Sequence, residues 1–176
     1  PRTPLYRYTL LSARLGFDAF VKHENHLPIG AFKVRGGVYL FANLTDSQRA
    51  RGVITATRGN HGLSLAWAAK TFGSRAVIYV PKGNNPEKNA AIRGLGAELI
   101  EAGRDYDAAA EVASRLVRER GLELAHSTND ARVIAGAATL SAEILEQAPA
   151  DLDAIVVAVG GGVLLGRGGL VGHPAI

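Results

Sequence analysis

The 176-residue sequence contains no cysteine. That excludes a disulfide framework and any thiolate metal site. It also lacks the run of about 18 apolar residues that a membrane-spanning helix needs. Its first residues, Pro1, Arg2, Thr3 and Pro4, carry no apolar stretch of signal-peptide type. No internal repeat or low-complexity segment is visible. These absences predict a cytoplasmic protein with no membrane partner. The net charge of +4 is small and unevenly placed, with nine Lys/Arg against three Asp/Glu in residues 1–58 and eleven against thirteen in the remainder. A basic excess is one footprint of nucleic-acid binding. Here the charges are dispersed, without aromatic residues interleaved, so no nucleic-acid partner is expected. A positive field of this kind suits small anions and carboxylates.

What is present is an alternation. Short β-branched runs take turns with longer helical stretches, and 47% of residues are hydrophobic, enough for a packed core. That pattern predicts an α/β protein with an open parallel sheet. Strands are expected over 19–24, 52–57, 76–80, 98–101, 122–126 and 154–159. Helices are expected over 33–44, 59–72, 86–95, 106–120 and 133–147. Thr45 followed three residues on by Gln48 predicts a capped short helix. Pro86 suits the first turn of its helix, and Gly121 suits a helix stop. Residues 45–147 read as a small α/β domain. The flanks, 1–44 and 148–176, read as part of a larger domain that the chain leaves and rejoins.

Three glycine-bearing corners carry the chemistry. In the first, Pro28 and Gly30 make a turn after a short strand, and Phe32 and Lys33 open a helix that continues through Arg35, Gly36 and Gly37. A lysine at such a corner can stand at a pocket wall with its amine directed at a ligand. The second is Thr55-Ala56-Thr57-Arg58-Gly59-Asn60-His61-Gly62, at a strand-to-helix junction. Free backbone N–H groups and the positive dipole end gather at a helix start, and glycines admit a ligand close to the backbone. The third is Gly160, Gly161 and Gly162 after an apolar run, a candidate phosphate nest. His23 and His26 lack helical metal-ligand spacing, so no metal site is expected. His126 reads as a structural strand-end histidine. The second corner lacks the G-x-G-x-x-G spacing of a dinucleotide fold.

The lysine segment resembles the cofactor-lysine segment of the fold-type II pyridoxal 5'-phosphate enzymes, the tryptophan synthase β-like fold of threonine and serine dehydratases and serine racemase. The second corner resembles their Ser-x-Gly-Asn-His-Gly loop. The third resembles their four-glycine phosphate cup, with Val163 in the fourth place. Val133, Ile134, Ala135, Gly136 and Thr139 are similar to a helix entry of the same enzymes. The resemblance covers residues 1 to about 165. It implies that Lys33 bonds the cofactor aldehyde and acts as catalyst. Phe32, Asn60, Gly160, Gly161 and Gly162 would hold the cofactor, Thr57, Gly59 and His61 would cradle the substrate carboxylate, and Arg58 would also bind the substrate. The activity implied is that of a lyase in amino-acid metabolism, a threonine dehydratase or ammonia-lyase that deaminates a β-hydroxy amino acid to a 2-oxo acid. The alternative is a non-catalytic cofactor- or anion-binding fragment. Serine racemase has serine where this chain has Arg58, and arginine is a poor base, so racemisation is disfavoured. The catalytic role of Lys33 needs a pKa lowered either by burial or by neighbouring positive charge, for which Arg35 and Arg58 are the candidates. Family members are longer, so the large domain is expected to be incomplete, and a homodimer is possible.

Overall fold

The computed structural model describes residues 2–158 and Val163. The chain begins with a short antiparallel ribbon. Its strands are β1 (Leu5–Arg7) and β2 (Phe20–Lys22), paired from Leu5 opposite Lys22 to Arg7 opposite Phe20. Between them lies helix α1 (Thr9–Leu15), closed by Gly16 at φ 79°. Neither β1 nor α1 is legible in the sequence, because both are short and much of their apolar surface is exposed, Leu10 at 87%.

Five helices and four parallel strands follow. They are α2 (Lys33–Ala42), α3 (Asp46–Arg51), β3 (Val53–Ala56), α4 (Asn60–Thr71), β4 (Ala76–Val80), α5 (Pro86–Gly94), β5 (Glu98–Glu101), α6 (Tyr106–Arg120) and β6 (Glu123–Leu124). The last helix is α7 (Ala131–Gln147). The sheet order is β5-β4-β3-β6, all neighbours parallel. Every residue of β3 and β4 is buried, as central parallel strands covered on both faces must be. The period of two divides them cleanly. Val53, Ile78 and Val80 face a core with Leu65 of α4, Leu40 of α2, Ile92 of α5 and Val133 of α7. Ile54, Ala56, Val77 and Tyr79 face α6 through Ala109 and Ala113.

Local signals account for the helix ends. Thr45 and Gln48 form a reciprocal capping box at α3. Asn85 caps α5, which has proline in its first turn. Asp105 caps α6, and Gly121 ends it at φ 62°.

Helix α2 lies between α4 and α7 at a separation that only glycine permits. A methyl group on Gly36 would stand 2.8 Å from the Val133 carbonyl oxygen, and one on Gly37 2.8 Å from the Ser64 carbonyl oxygen. One on Gly136 would stand 2.5 Å from the Arg35 carbonyl oxygen.

The strand expected over 154–159 is not formed over its described residues, 154–158, which are irregular, with Val156 97% exposed. An all-apolar parallel strand needs neighbours on its hydrogen-bonding edges, and no described strand pairs with it. Val163 is buried in the core beside Leu40 and Val133. Among the described residues no amino acid other than glycine has a positive φ, so Val163 avoids the backbone that a glycine in its place could adopt.

Candidate active site

The sheet changes direction between β3 and β6. From β3 the chain adds β4 and then β5 on one side, then returns to add β6 on the other. Such a switch point opens a crevice at the carboxyl ends of the strands, where open α/β sheets bind ligands. The loop after β3 and the residues after β6 both lie there. A recess of about 440 Å³ is lined by Lys33, Thr57, Arg58, Gly59, Asn60, His61, Lys88, Tyr106 and Ser127. The first and second sequence corners therefore meet in space. Gly160, Gly161 and Gly162 lie outside the described residues. Phe32 does not line the recess, but its ring centroid is 5.1 Å from the Lys33 amine.

Lys33 is the first residue of α2, and two sets of contacts fix that helix start. Ser64, wholly buried in α4, donates its hydroxyl to the Lys33 carbonyl oxygen at 2.6 Å. On the other side, the Arg35 guanidinium is held by two carboxylates. Its Nε donates to Glu24 at 2.7 Å, its Nη1 to Glu143 at 2.7 Å, and its Nη2 to both. The Lys22 amine adds a contact to Glu143 at 2.7 Å and donates to the Thr3 carbonyl oxygen. This cluster ties the N-terminal segment, β2, α2 and α7 together next to the lysine.

The Lys33 amine is half-buried and, among the described residues, makes one hydrogen bond, a long 3.4 Å donation to the Ser127 carbonyl oxygen. Burial lowers its pKa from the ordinary lysine value. Of the two expected causes, burial and the charges of Arg35 and Arg58, the structure shows burial. Desolvation is the sole cause, and the Arg35 charge is spent on Glu24 and Glu143.

The loop after β3 is internally braced. Thr57 donates its backbone N–H to Tyr79, and its hydroxyl accepts the Gly59 N–H at 3.1 Å. The first helical bond of α4 runs from Leu63 N–H to the Gly59 carbonyl. The amides of Asn60, His61 and Gly62 thus stand in a first turn that has no helical acceptors for them. The His61 ring is buried, 4% exposed, with Nε2 3.1 Å from the Ala125 carbonyl oxygen and Nδ1 without a partner among the described residues. Donation from Nε2 leaves Nδ1 as a bare acceptor. Burial pushes the His61 pKa down to about 4, so the ring is neutral at pH 7. Its side chain is committed to the strand end, and what His61 offers a ligand is its backbone N–H. His126 is structural, as expected, its Nδ1 accepting the N–H groups of Thr128 and Asn129.

Lys88, Tyr106 and Ser127 were not among the sequence candidates. The signal that could have found them is topological. Tyr106 opens the helix after β5, Ser127 follows β6, and Lys88 sits in the first turn of the helix after β4.

The donor set fits a small anion that also bears an aldehyde. It offers a desolvated amine with a single long contact, a helix start with free amides, and a lining without a carboxylate.

Comparison with known proteins agrees. A family model described as pyridoxal-phosphate dependent enzyme matches residues 1–166. The L-threonine ammonia-lyase of Thermotoga maritima is 40% identical over 164 residues, which is 93% of this chain and 41% of that protein. Threonine deaminase isoform 2 of Solanum lycopersicum superposes with a TM-score of 0.87 at 34% identity, over 93% of this chain and 47% of the other. Maize serine racemase superposes with a TM-score of 0.89 at 34% identity, over 94% of this chain and 50% of the other. The chain therefore spans half or less of the length of these relatives, and its fold is the fold-type II arrangement.

Proposed function

The chain belongs to the pyridoxal-phosphate dependent enzyme family, and from that premise we propose that it carries the lysine-bearing part of an ammonia-lyase acting on threonine- or serine-type β-hydroxy amino acids. The observation that supports this most directly is the desolvated Lys33 amine facing the free amides that open α4. Bound pyridoxal phosphate supplies an aldehyde for the lysine and a ring that withdraws electrons from the substrate α-carbon.

The chain's own residues then divide the work. Lys33 Nζ, with its lowered pKa, is free of its proton for a larger fraction of the time than an exposed lysine and takes the proton from the α-carbon. The amides of Asn60 and His61 bind and orient the substrate carboxylate, Thr57 and Gly59 shape that cradle through their mutual hydrogen bond, and Arg58 binds the substrate from the same loop. Asn60, exposed at the loop, offers a neutral amide to the cofactor ring, and Phe32 flanks the lysine. Gly160, Gly161 and Gly162 are assigned to the phosphate. The α-proton removed and the β-hydroxyl lost together make one water, and hydrolysis of the dehydrated product yields a 2-oxo acid and ammonia. The domain division, 45–147 within 1–44 and 148–176, belongs to the same reading. So do a cytoplasmic setting, where free amino acids are plentiful, and a homodimer, whose test is the mass in solution.

Borohydride reduction in the presence of pyridoxal phosphate should fix the cofactor onto Lys33, identified by peptide mass. Equal trapping by Lys33→Ala would remove the lysine assignment. Cofactor capture with no 2-oxo acid from serine or threonine would favour the non-catalytic binding reading.

A further inference from the structure

The recess holds more positive charge than an ordinary amino acid can use. Lys33, Arg58 and Lys88 all line it, from three different elements, and no aspartate or glutamate does. Among the described residues neither Arg58 nor Lys88 takes part in an ion pair, whereas Arg35, Arg93 and Arg132 do. Lys88 also reaches the carboxylate cradle itself, since a methyl group on Gly59 would stand 2.9 Å from the Lys88 amine. The helix start already provides amides for one carboxylate. Serine and threonine are zwitterions with a neutral side chain, and bring no second anion for Arg58 and Lys88. Like charges held in one recess disfavour the ligand-free state, and an anion relieves the repulsion.

We propose that Arg58 and Lys88 are specificity-determining residues for an amino acid whose side chain ends in a second anionic group, a carboxylate or a phosphate. This rests on the lyase reading for the location of the site, but not on turnover. The α-carboxylate takes the amides of the loop after β3. The second anion takes the two cations, Arg58 from the loop and Lys88 from the first turn of α5.

The test compares binding of L-serine, 3-hydroxy-L-aspartate and O-phospho-L-serine to the cofactor-loaded chain by titration calorimetry, with 2-oxo acid release measured in parallel. The two anionic arms separate a carboxylate from a phosphate preference. At least one of them should bind tenfold or more tightly than serine, and the ratio should shrink as salt rises. Lys88→Gln and Arg58→Gln, on separate elements, should each bring the ratio to within about threefold of unity, one charge contact being worth roughly a factor of ten. Equal affinity for serine and both anionic ligands would overturn the proposal, and so would variants that weaken all three ligands alike. Selective binding without 2-oxo acid from any ligand would defeat the lyase reading and leave this assignment standing. Turnover of serine with no anionic preference would do the reverse.

Discussion

Ser64 donates its hydroxyl to the main-chain oxygen of Lys33 at 2.6 Å. The bond joins the helix that follows the loop after β3 to the helix that Lys33 opens, so it sets the distance between two walls of the recess. Ser64 is fully buried. Ser64→Ala should lower stability by about 1 kcal/mol, the usual cost of one lost internal hydrogen bond. It should also slow cofactor trapping at Lys33, because the helix start loses a tether. A denaturant midpoint and a borohydride trapping rate measure the two effects. An unchanged trapping rate in a destabilised variant would make Ser64 a packing residue only.

The glycines at the α2 contacts predict a sharp contrast. Gly36→Ala and Gly136→Ala place a methyl within 2.8 Å and 2.5 Å of backbone oxygen atoms that cannot move independently. Each should cost about 1–3 kcal/mol through overpacking. Gly94→Ala meets nothing within 4 Å at the end of α5, and should stabilise by about 0.5–1 kcal/mol through helix propensity and lost unfolded-state freedom. Thermal unfolding of the three variants checks both signs at once.

The four-stranded core was legible because its strands and helices are long or strongly patterned. Buried runs such as Ala76–Val80 and the capped helix Tyr106–Arg120 match their sequence ranges residue for residue. The ribbon of β1 and β2 was only half legible. Three-residue strands have no period to read, and their pairing is set by contacts distant in sequence. The apolar run over 154–158 was legible as apolar but not as unpaired, since pairing depends on neighbours that the run does not contain. The site divides the same way. Lys33 and the loop from Thr57 to His61 stand on turn and helix-start signals. Lys88, Tyr106 and Ser127 arrive only through sheet order, which brings the end of β6 beside that of β3. The anchoring of Arg35 was not legible, because its charge is visible in sequence while its partners, Glu24 and Glu143, lie 11 and 108 residues away.

His61 predicts a loss of stability on mild acidification. Its folded-state pKa, about 4, lies below the unfolded value of 6.5. The unfolded chain therefore takes up the proton first. The contribution of the neutral ring is complete above pH 6.5 and is lost as pH falls towards 4, at no more than about 1.4 kcal/mol per pH unit. His61→Gln keeps a donor for the Ala125 carbonyl oxygen and cannot titrate. It should flatten the stability profile between pH 6.5 and 4. Urea midpoints at several pH values decide the point, and parallel profiles for parent and variant would rule out His61 as the source.

Glu143 acts in a lower window. Although burial opposes the charge, hydrogen bonds from Arg35, Lys22 and the Thr3 N–H hold its pKa down to about 2, against an ordinary 4.5. Its contribution is present above pH 4.5 and disappears as pH falls through 2. Glu143→Gln should remove that acid limb and, at neutral pH, cost about 3 kcal/mol, because the Arg35 guanidinium loses one of two carboxylates while remaining buried. The loss should also reach the candidate site. Arg35 stands two residues beyond Lys33 in the first turn of α2, and Glu143 anchors it from α7. Trapping of the cofactor by Glu143→Gln, measured under conditions where the variant remains folded, should be slower than in the parent. Leaving Glu24 as the only carboxylate on the guanidinium would relax the helix start that carries the lysine, whereas a variant that lost stability but trapped at the parental rate would show that the ion cluster supports the fold without orienting the amine.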